Sequence, residues 1–143
     1  AQSSRYNHFV LVDACLEGKV KRAIRILDSL KDEGYLTVQL RWSLQSALEQ
    51  LTGLQQAQNL GRIGPKVWQE LHIWSSKQRL FESALKRLKG DQIERLLQSC
   101  ATLDRINKGQ QQDDFPDRDW LLLKAIVCRF CGLKSISLLE QES

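Results

Sequence analysis

The chain has 143 residues, 42% of them hydrophobic, and its 21 Lys plus Arg against 17 Asp plus Glu give a formal charge of +4. This length fits one domain that closes an apolar core without metals or disulfides. The small, interspersed charge excess describes a mixed-charge solvated surface, while still permitting contact with nucleic acid or an acidic partner. No stretch approaches the roughly 20 apolar residues that cross a bilayer, and the start lacks the charged and apolar blocks of a signal peptide. A reducing cytoplasmic setting with no membrane partner is therefore expected. The opening AQSS, without Met, reads as an excised or processed domain.

With only two prolines and eight glycines, long intervals are free for helices. The expected organisation is a polar lead-in over 1–7, a helical domain over 8–140 and a polar tail over 141–143. Asn7 is placed to cap a short first helix with Phe9, Val10, Val12 and Leu16 as its apolar members, and Gly18 ends it. From Lys19 to about Glu33 a second helix carries Val20, Ala23, Ile24, Leu27 and Leu30 at three and four residue spacing, with Gly34 as its stop. Gly18 and Gly34 thus shape a helical hairpin, and Ala23, Ile24 and Leu27 are core candidates.

The longest pattern runs from Leu36 to Ala57, with Leu36, Leu40, Leu44, Leu48 and Leu51 on one face and Ala47 and Leu54 extending it. Leu40 and Leu44 are core candidates. Trp42 lies on another side, where it either fills a different part of the core or makes an intersubunit contact. Gly53 interrupts this helix locally without having to end it. The segment NLGRIGP, Asn59 to Pro65, combines three kinds of breaker. Pro65 then opens a short helix to about Trp74, with Trp68, Leu71 and Trp74 in an apolar series.

Leu80, Phe81, Ala84, Leu85 and Leu88 define the next face, stopped by Gly90. Asp91 and Glu94 have capping-box spacing ahead of Ile93, Leu96, Leu97, Cys100 and Leu103. KGQQQDDFPD, Lys108 to Asp117, is the strongest loop signal; its clustered carboxylates lack the ligand and glycine spacing of a calcium loop. Asp117 or Asp119 caps a last helix through Trp120, Leu123, Ile126, Val127 and Phe130, and Leu133 to Leu139 form a short extension. The fold class expected is all-α, a single bundle of about five to seven helices.

Catalytic chemistry is not announced. Cys15, Cys100, Cys128 and Cys131 sit in apolar periodic segments and read as small buried hydrophobes. The Cys128–Cys131 spacing has no second pair or nearby histidine to complete a zinc set. GRIG at Gly61 to Gly64 is too short for a phosphate loop, and His8 and His72 have no context that makes either a catalytic base. One different reading stays open: Lys77, Arg79, Lys86, Arg87, Lys89 and Arg95 form a cationic stretch that a helical nucleic-acid-binding module would use.

Taken together, DACLEGKVKRAIRILDSLKDEG from Asp13 to Gly34, LRWSLQSALEQL from Leu40 to Leu51, KVWQELHIW from Lys66 to Trp74, ALKRL from Ala84 to Leu88 and LDRINKG from Leu103 to Gly109 resemble the collar-domain family at the C-terminus of bacterial DNA polymerase III delta subunits. The resemblance implies a non-catalytic collar module of the sliding-clamp loader, with no cofactor and no metal. Its implied partners are gamma or tau and delta-prime; the beta clamp is met through the family's amino-terminal region, and DNA through the assembled complex. Under this resemblance Arg22, Arg25, Arg41, Trp42, Arg79 and Trp120 are the subunit-interface candidates, since their side chains reach beyond the helical apolar faces. The KGQQQDDFPD loop departs from a transferable interface motif.

Overall fold

The computed structural model describes residues 6–109 and 115–133. Among the described residues there are seven α-helices, one 3-10 turn and no strand: α1 His8–Glu17, α2 Val20–Asp32, α3 Thr37–Asn59, α4 Pro65–Glu70, the 3-10 turn Ser75–Lys77, α5 Gln78–Arg87, α6 Gly90–Asn107 and α7 Arg118–Phe130. The bundle is all-helical, as the periodicity predicts. The proposed extension over residues 134–139 and the centre of the glutamine-rich loop, 110–114, lie outside the described residues.

α3 is the spine. Its 23 residues span roughly 34 Å at 1.5 Å per residue, and Leu40, Leu44, Leu48, Leu51 and Leu54 are all fully enclosed. Each contributes about 1.5–3 kcal/mol by leaving water, which favours the helix beyond what propensity alone supplies. α3 packs most extensively on α6, α6 packs on α7, and α1 touches α2, α3, α5 and α7. Leu36, expected on the same stripe, occupies the N-cap position and is exposed. There the Gln39 side chain accepts the Leu36 amide at 2.8 Å.

The hairpin glycines do what their positions demand. At Gly18, φ is 80°, the Gly18 amide donates to Cys15 O at 3.1 Å and Lys19 donates to Ala14 O at 3.0 Å. At Gly34, φ is 95°, with Gly34 donating to Lys31 O and Tyr35 to Leu30 O, both at 3.0 Å. Both are Schellman stops, in which a left-handed residue returns two amides to the last free carbonyls. Gly53 has a different reason: a Cβ there would lie 2.6 Å from Leu71 Cδ2. Its missing side chain lets the end of α4 lie on α3, where Gln50 Nε2 donates to Leu71 O at 2.9 Å.

Several local expectations are corrected. Asn7 does cap α1, its Oδ1 accepting from Val10 N at 3.0 Å. The inward face, however, is Leu11, Ala14, Cys15 and Leu16, while Phe9 points outward and Val10 and Val12 are half-buried. On α2, Ala23 and Leu27 are buried, but Ile24 is only half-buried and Ile26 is fully enclosed in its place. The helix is turned so that residues 23, 26, 27 and 30 face the core. α4 stops at Glu70, because His72 takes a left-handed φ of 59° and closes the helix with its amide on Gln69 O. This leaves Trp74 outside the helix and 77% exposed.

Gly90 begins α6 instead of ending α5, and the Asp91–Glu94 box gives way to Gln92, whose Oε1 accepts the Lys89 amide at 2.7 Å. Asp117 occupies the N-cap position of α7 without a side-chain cap bond, and Asp119 is drawn away to Thr37.

Candidate subunit interface

Two polar clusters lock the bundle and so decide which charged groups remain for a partner. At one end α1 and α7 present their last carbonyls to Arg87, which closes α5. Nη2 donates to Cys15 O at 2.9 Å, Leu16 O at 3.2 Å and Phe130 O at 3.2 Å. Two N–H groups serve three acceptors, so one bond is shared. The guanidinium complements the negative ends of two helix dipoles at once. Space for it comes from two glycines: a Cβ on Gly18 would stand 2.8 Å from Arg87 Nη1, and one on Gly132 would stand 2.8 Å from its Cδ.

The surroundings are apolar. Burial pulls Arg87 below the usual guanidinium range, an effect that the neighbouring Cys131 and Cys15 oppose. Burial pushes the Cys15 thiol well above its usual range, and its hydrogen bond with Cys131 acts in the same direction. Cys128 is raised by burial too, and Cys100 is pushed up to about 11, chiefly by burial. All four cysteines are free thiols in the interior, and burial holds Cys15, Cys100 and Cys128 in the unreactive protonated form. Among the described residues no group of histidines, cysteines and carboxylates is gathered to hold a metal.

At the other end a chain of hydrogen bonds joins three helices. Asn107 Nδ2 donates to Thr37 Oγ1 at 2.8 Å, and Thr37 Oγ1 donates to Asp119 Oδ2 at 2.9 Å. This places the C-terminus of α6 beside the starts of α3 and α7, so α6 and α7 run antiparallel. Lys31 of α2 reaches Asp117 at 3.6 Å and lies 5.5 Å from the centre of the Trp120 ring. Nearby, Arg41 donates to Gln45 at 2.6 Å and pairs with Asp104 at 3.6 Å. A hydrogen bond from Lys108 holds the Asp104 carboxyl below its ordinary range.

Against this frame the six interface candidates separate. Arg41 and Trp120 are half-buried and engaged within the chain. Arg22, Arg25 and Arg79 are exposed, with Arg22 5.9 Å from the Tyr6 ring centre. Trp42 is 65% exposed, which removes the core alternative for it. It has company: Val38, which the periodicity placed with Trp42 and Gln45 on a side away from the leucine stripe, and Phe9, which it did not. Val38, one turn earlier, is exposed, and Phe9 of α1 is 66% exposed. The adjacent residues His8 and Ser43 join α1 to α3 through a 2.8 Å contact between Nδ1 and Oγ, so Phe9 and Trp42 flank one rigid helix–helix junction. Exposed aromatic side chains on a fixed backbone are the residue types that anchor protein interfaces. Leu60, Ile63 and Trp74, which flank α4 in the chain, are exposed as well, and Ile63 lines an open cleft of about 550 Å³ next to Trp68.

The cationic stretch proves less available than its composition suggests. Arg87 is half-buried and committed to helix-end carbonyls, Lys77 pairs with Asp13 at 2.7 Å and Arg95 with Asp91 at 3.1 Å. Arg79, Lys86 and Lys89 are exposed. Among the described residues no helix is long and apolar enough to cross a membrane.

Comparison with known proteins adds two findings. The family model for the processivity clamp loader gamma complex, DNA polymerase III C-terminal region, matches residues 8–136. The DNA polymerase III subunit delta of Haemophilus influenzae is 31% identical over 138 residues, covering 91% of this chain and 39% of that relative. The chain therefore spans about two fifths of the length of the curated relative it matches.

Proposed function

The chain belongs to the family of DNA polymerase III clamp-loader gamma complex C-terminal domains, and from that premise we propose that it is the collar module of a delta subunit. In this role it is non-catalytic and cytoplasmic, and it assembles with the collar domains of gamma or tau and of delta-prime. The beta clamp is engaged through an amino-terminal region of the delta subunit, and primed DNA through the complete loader. The observation that carries the reading is the family match across residues 8–136.

Docking in this role would use the exposed apolar residues of α1 and α3. The chain's two inter-helix polar clusters are hydrogen-bonded within the chain, and Phe9, Val38 and Trp42 lie exposed on α1 and α3. Burying two aromatic side chains against a partner helix supplies roughly 2–3 kcal/mol each. Arg22, Arg25 and Arg79 provide polar contacts at the rim, where charge sets association rate and orientation more than affinity. The test is mixing with matching gamma or tau and delta-prime collar domains, read by analytical ultracentrifugation. A stoichiometric complex supports the assignment; failure of the folded chain to join it contradicts the assignment. Salt-sensitive DNA binding by the isolated chain, indifferent to those partners, would instead favour the nucleic-acid module.

A further inference from the structure

The end of the bundle closed by Arg87 also gathers three of the four cysteines. Cys15 lies in the last turn of α1, Cys128 in the last turn of α7 and Cys131 directly after it. One nitrogen, Arg87 Nη2, holds the Cys15 carbonyl at 2.9 Å and the Phe130 carbonyl at 3.2 Å, and a Cβ on Gly18 would stand 3.2 Å from Cys131 O. The two backbones thus converge where the cysteines sit, and the Cys15 and Cys131 thiols share a hydrogen bond. Cys15 is fully enclosed, while Cys131 is 5% exposed and is followed by Gly132, which is exposed and has no side chain to cover it. Cys100 stands apart on α6, near Arg41 and Glu49.

We propose that Cys15 and Cys131 form a modification site, where a hydroperoxide converts the two thiols to a disulfide that staples the end of α1 to the end of α7. A hydrogen-bonded thiol pair already turns its sulfurs towards each other, as the narrow geometry of a disulfide demands. Cys131, the thiol that so small an oxidant reaches, reacts first. Its sulfur bonds to one peroxide oxygen as the O–O bond breaks; the other oxygen takes the thiol proton and leaves as water, and Cys131 becomes a sulfenic acid. The Cys15 sulfur then displaces the sulfenic hydroxyl. The S–S bond forms, the S–O bond breaks, and the Cys15 proton leaves with the hydroxyl as a second water. Two thiols lose two electrons and one peroxide gains them. Arg87 assists from above. Its Nε is buried with no hydrogen-bond partner and would stand 3.1 Å from a Cβ on Gly132, so a cationic donor faces the negative charge that develops on the reacting oxygen.

The experiment treats the folded full chain with hydrogen peroxide, blocks remaining thiols with iodoacetamide in denaturant, and maps tryptic peptides by mass spectrometry. Trypsin separates the three cysteines, because Lys19, Lys124 and Arg129 stand between them. The expected product is a chain two hydrogens lighter, with the Cys15 and Cys131 peptides joined and Cys100 and Cys128 alkylated. Its Tm should rise by about 10 °C, since the bond closes nearly the whole chain into one loop, and dithiothreitol should reverse both changes. Cys131→Ala should abolish the cross-link, and Cys15→Ala should leave Cys131 as a sulfenic acid that dimedone traps. Where a variant fails to fold, the wild-type peptide map decides alone. Four alkylated thiols after peroxide, a cross-link through Cys100 or Cys128, sulfinic acid on Cys131 without a cross-link, or a bond that leaves Tm unchanged would each overturn the proposal.

Discussion

Replacing Arg87 by Ala is expected to be the most damaging single change to a charged residue in this bundle. The side chain gives two N–H groups to three carbonyls on α1 and α7, and hydrogen bonds from a charged donor contribute about 1.5–3 kcal/mol each. Against that gain stands Nε, buried without a partner, which costs roughly 1–3 kcal/mol. Truncation also removes the apolar stem that fills the space over Gly18 and Gly132. The net expectation is a loss of about 2–4 kcal/mol, or a fall in Tm of roughly 8–15 °C for a domain of this size. Urea and thermal unfolding followed by circular dichroism measure it, with Arg87→Met separating the lost bonds from the lost stem. A double-mutant cycle sharpens the point. Gly18→Ala should cost less in the Arg87→Ala background, where the 2.8 Å contact with Nη1 is gone and the 3.2 Å approach to Cys131 O and the positive-φ penalty of about 1–2 kcal/mol remain. Loss of less than about 0.5 kcal/mol in Arg87→Ala, or strict additivity with Gly18→Ala, would refute the view that this guanidinium joins the two helix ends.

Other expectations follow from particular positions. His72 holds a left-handed φ of 59°, so His72→Gly should stabilise the chain by about 0.5–1 kcal/mol in urea unfolding. Thr37→Val keeps the shape but strands Asn107 Nδ2 and Asp119 Oδ2, and should lose roughly 1–2 kcal/mol, whereas Thr37→Ser should lose less. Alkaline pH should weaken the fold. Burial raises the Cys15, Cys128 and Cys100 thiols, the last to about 11, so the unfolded chain gives up these protons first. Their stabilisation is complete below the ordinary thiol pKa and declines as pH rises through the folded values, by about 1.4 kcal/mol per pH unit for each thiol in that window. Unfolding free energies between pH 8 and pH 11 test this, and Cys100→Ala should reduce the slope whatever it does to absolute stability.

Helices, stops and the leucine spine were legible in the sequence because each rests on local chemistry. Gly18 and Gly34 mark left-handed stops, and the repeat from Leu40 to Leu54 leaves α3 one face to bury. Periodicity determines the phase of a helix only to within the width of its apolar stripe. On α2, Val20, Ala23, Ile24, Leu27 and Leu30 made as good a stripe as the one that forms. The choice of Ile26 over Ile24 belongs to the way α1 and α7 pack against that helix. The early end of α4 carried no glycine or proline signal, since His72 supplies the left-handed turn. Arg87 looked like one cation in a basic run. Its burial depends on two helix ends converging from 43 and 72 residues away, which no local pattern records. Phe9 was hidden for the opposite reason: it was grouped with Val10, Val12 and Leu16 as an apolar member of the first helix, and the core phase of α1 passes through Leu11 and Cys15.

The central claim, assembly through a collar, is tested most directly by the affinity of the chain for its gamma or tau and delta-prime collar partners, with and without Trp42→Ala and Phe9→Ala. Both side chains are largely exposed, so the variants should keep the wild-type Tm. The account predicts saturable association of the wild-type chain and a loss of about 30-fold for Trp42→Ala, corresponding to roughly 2 kcal/mol. Wild-type chain that remains monomeric in the presence of both partners, or affinity unchanged in both variants, would contradict it.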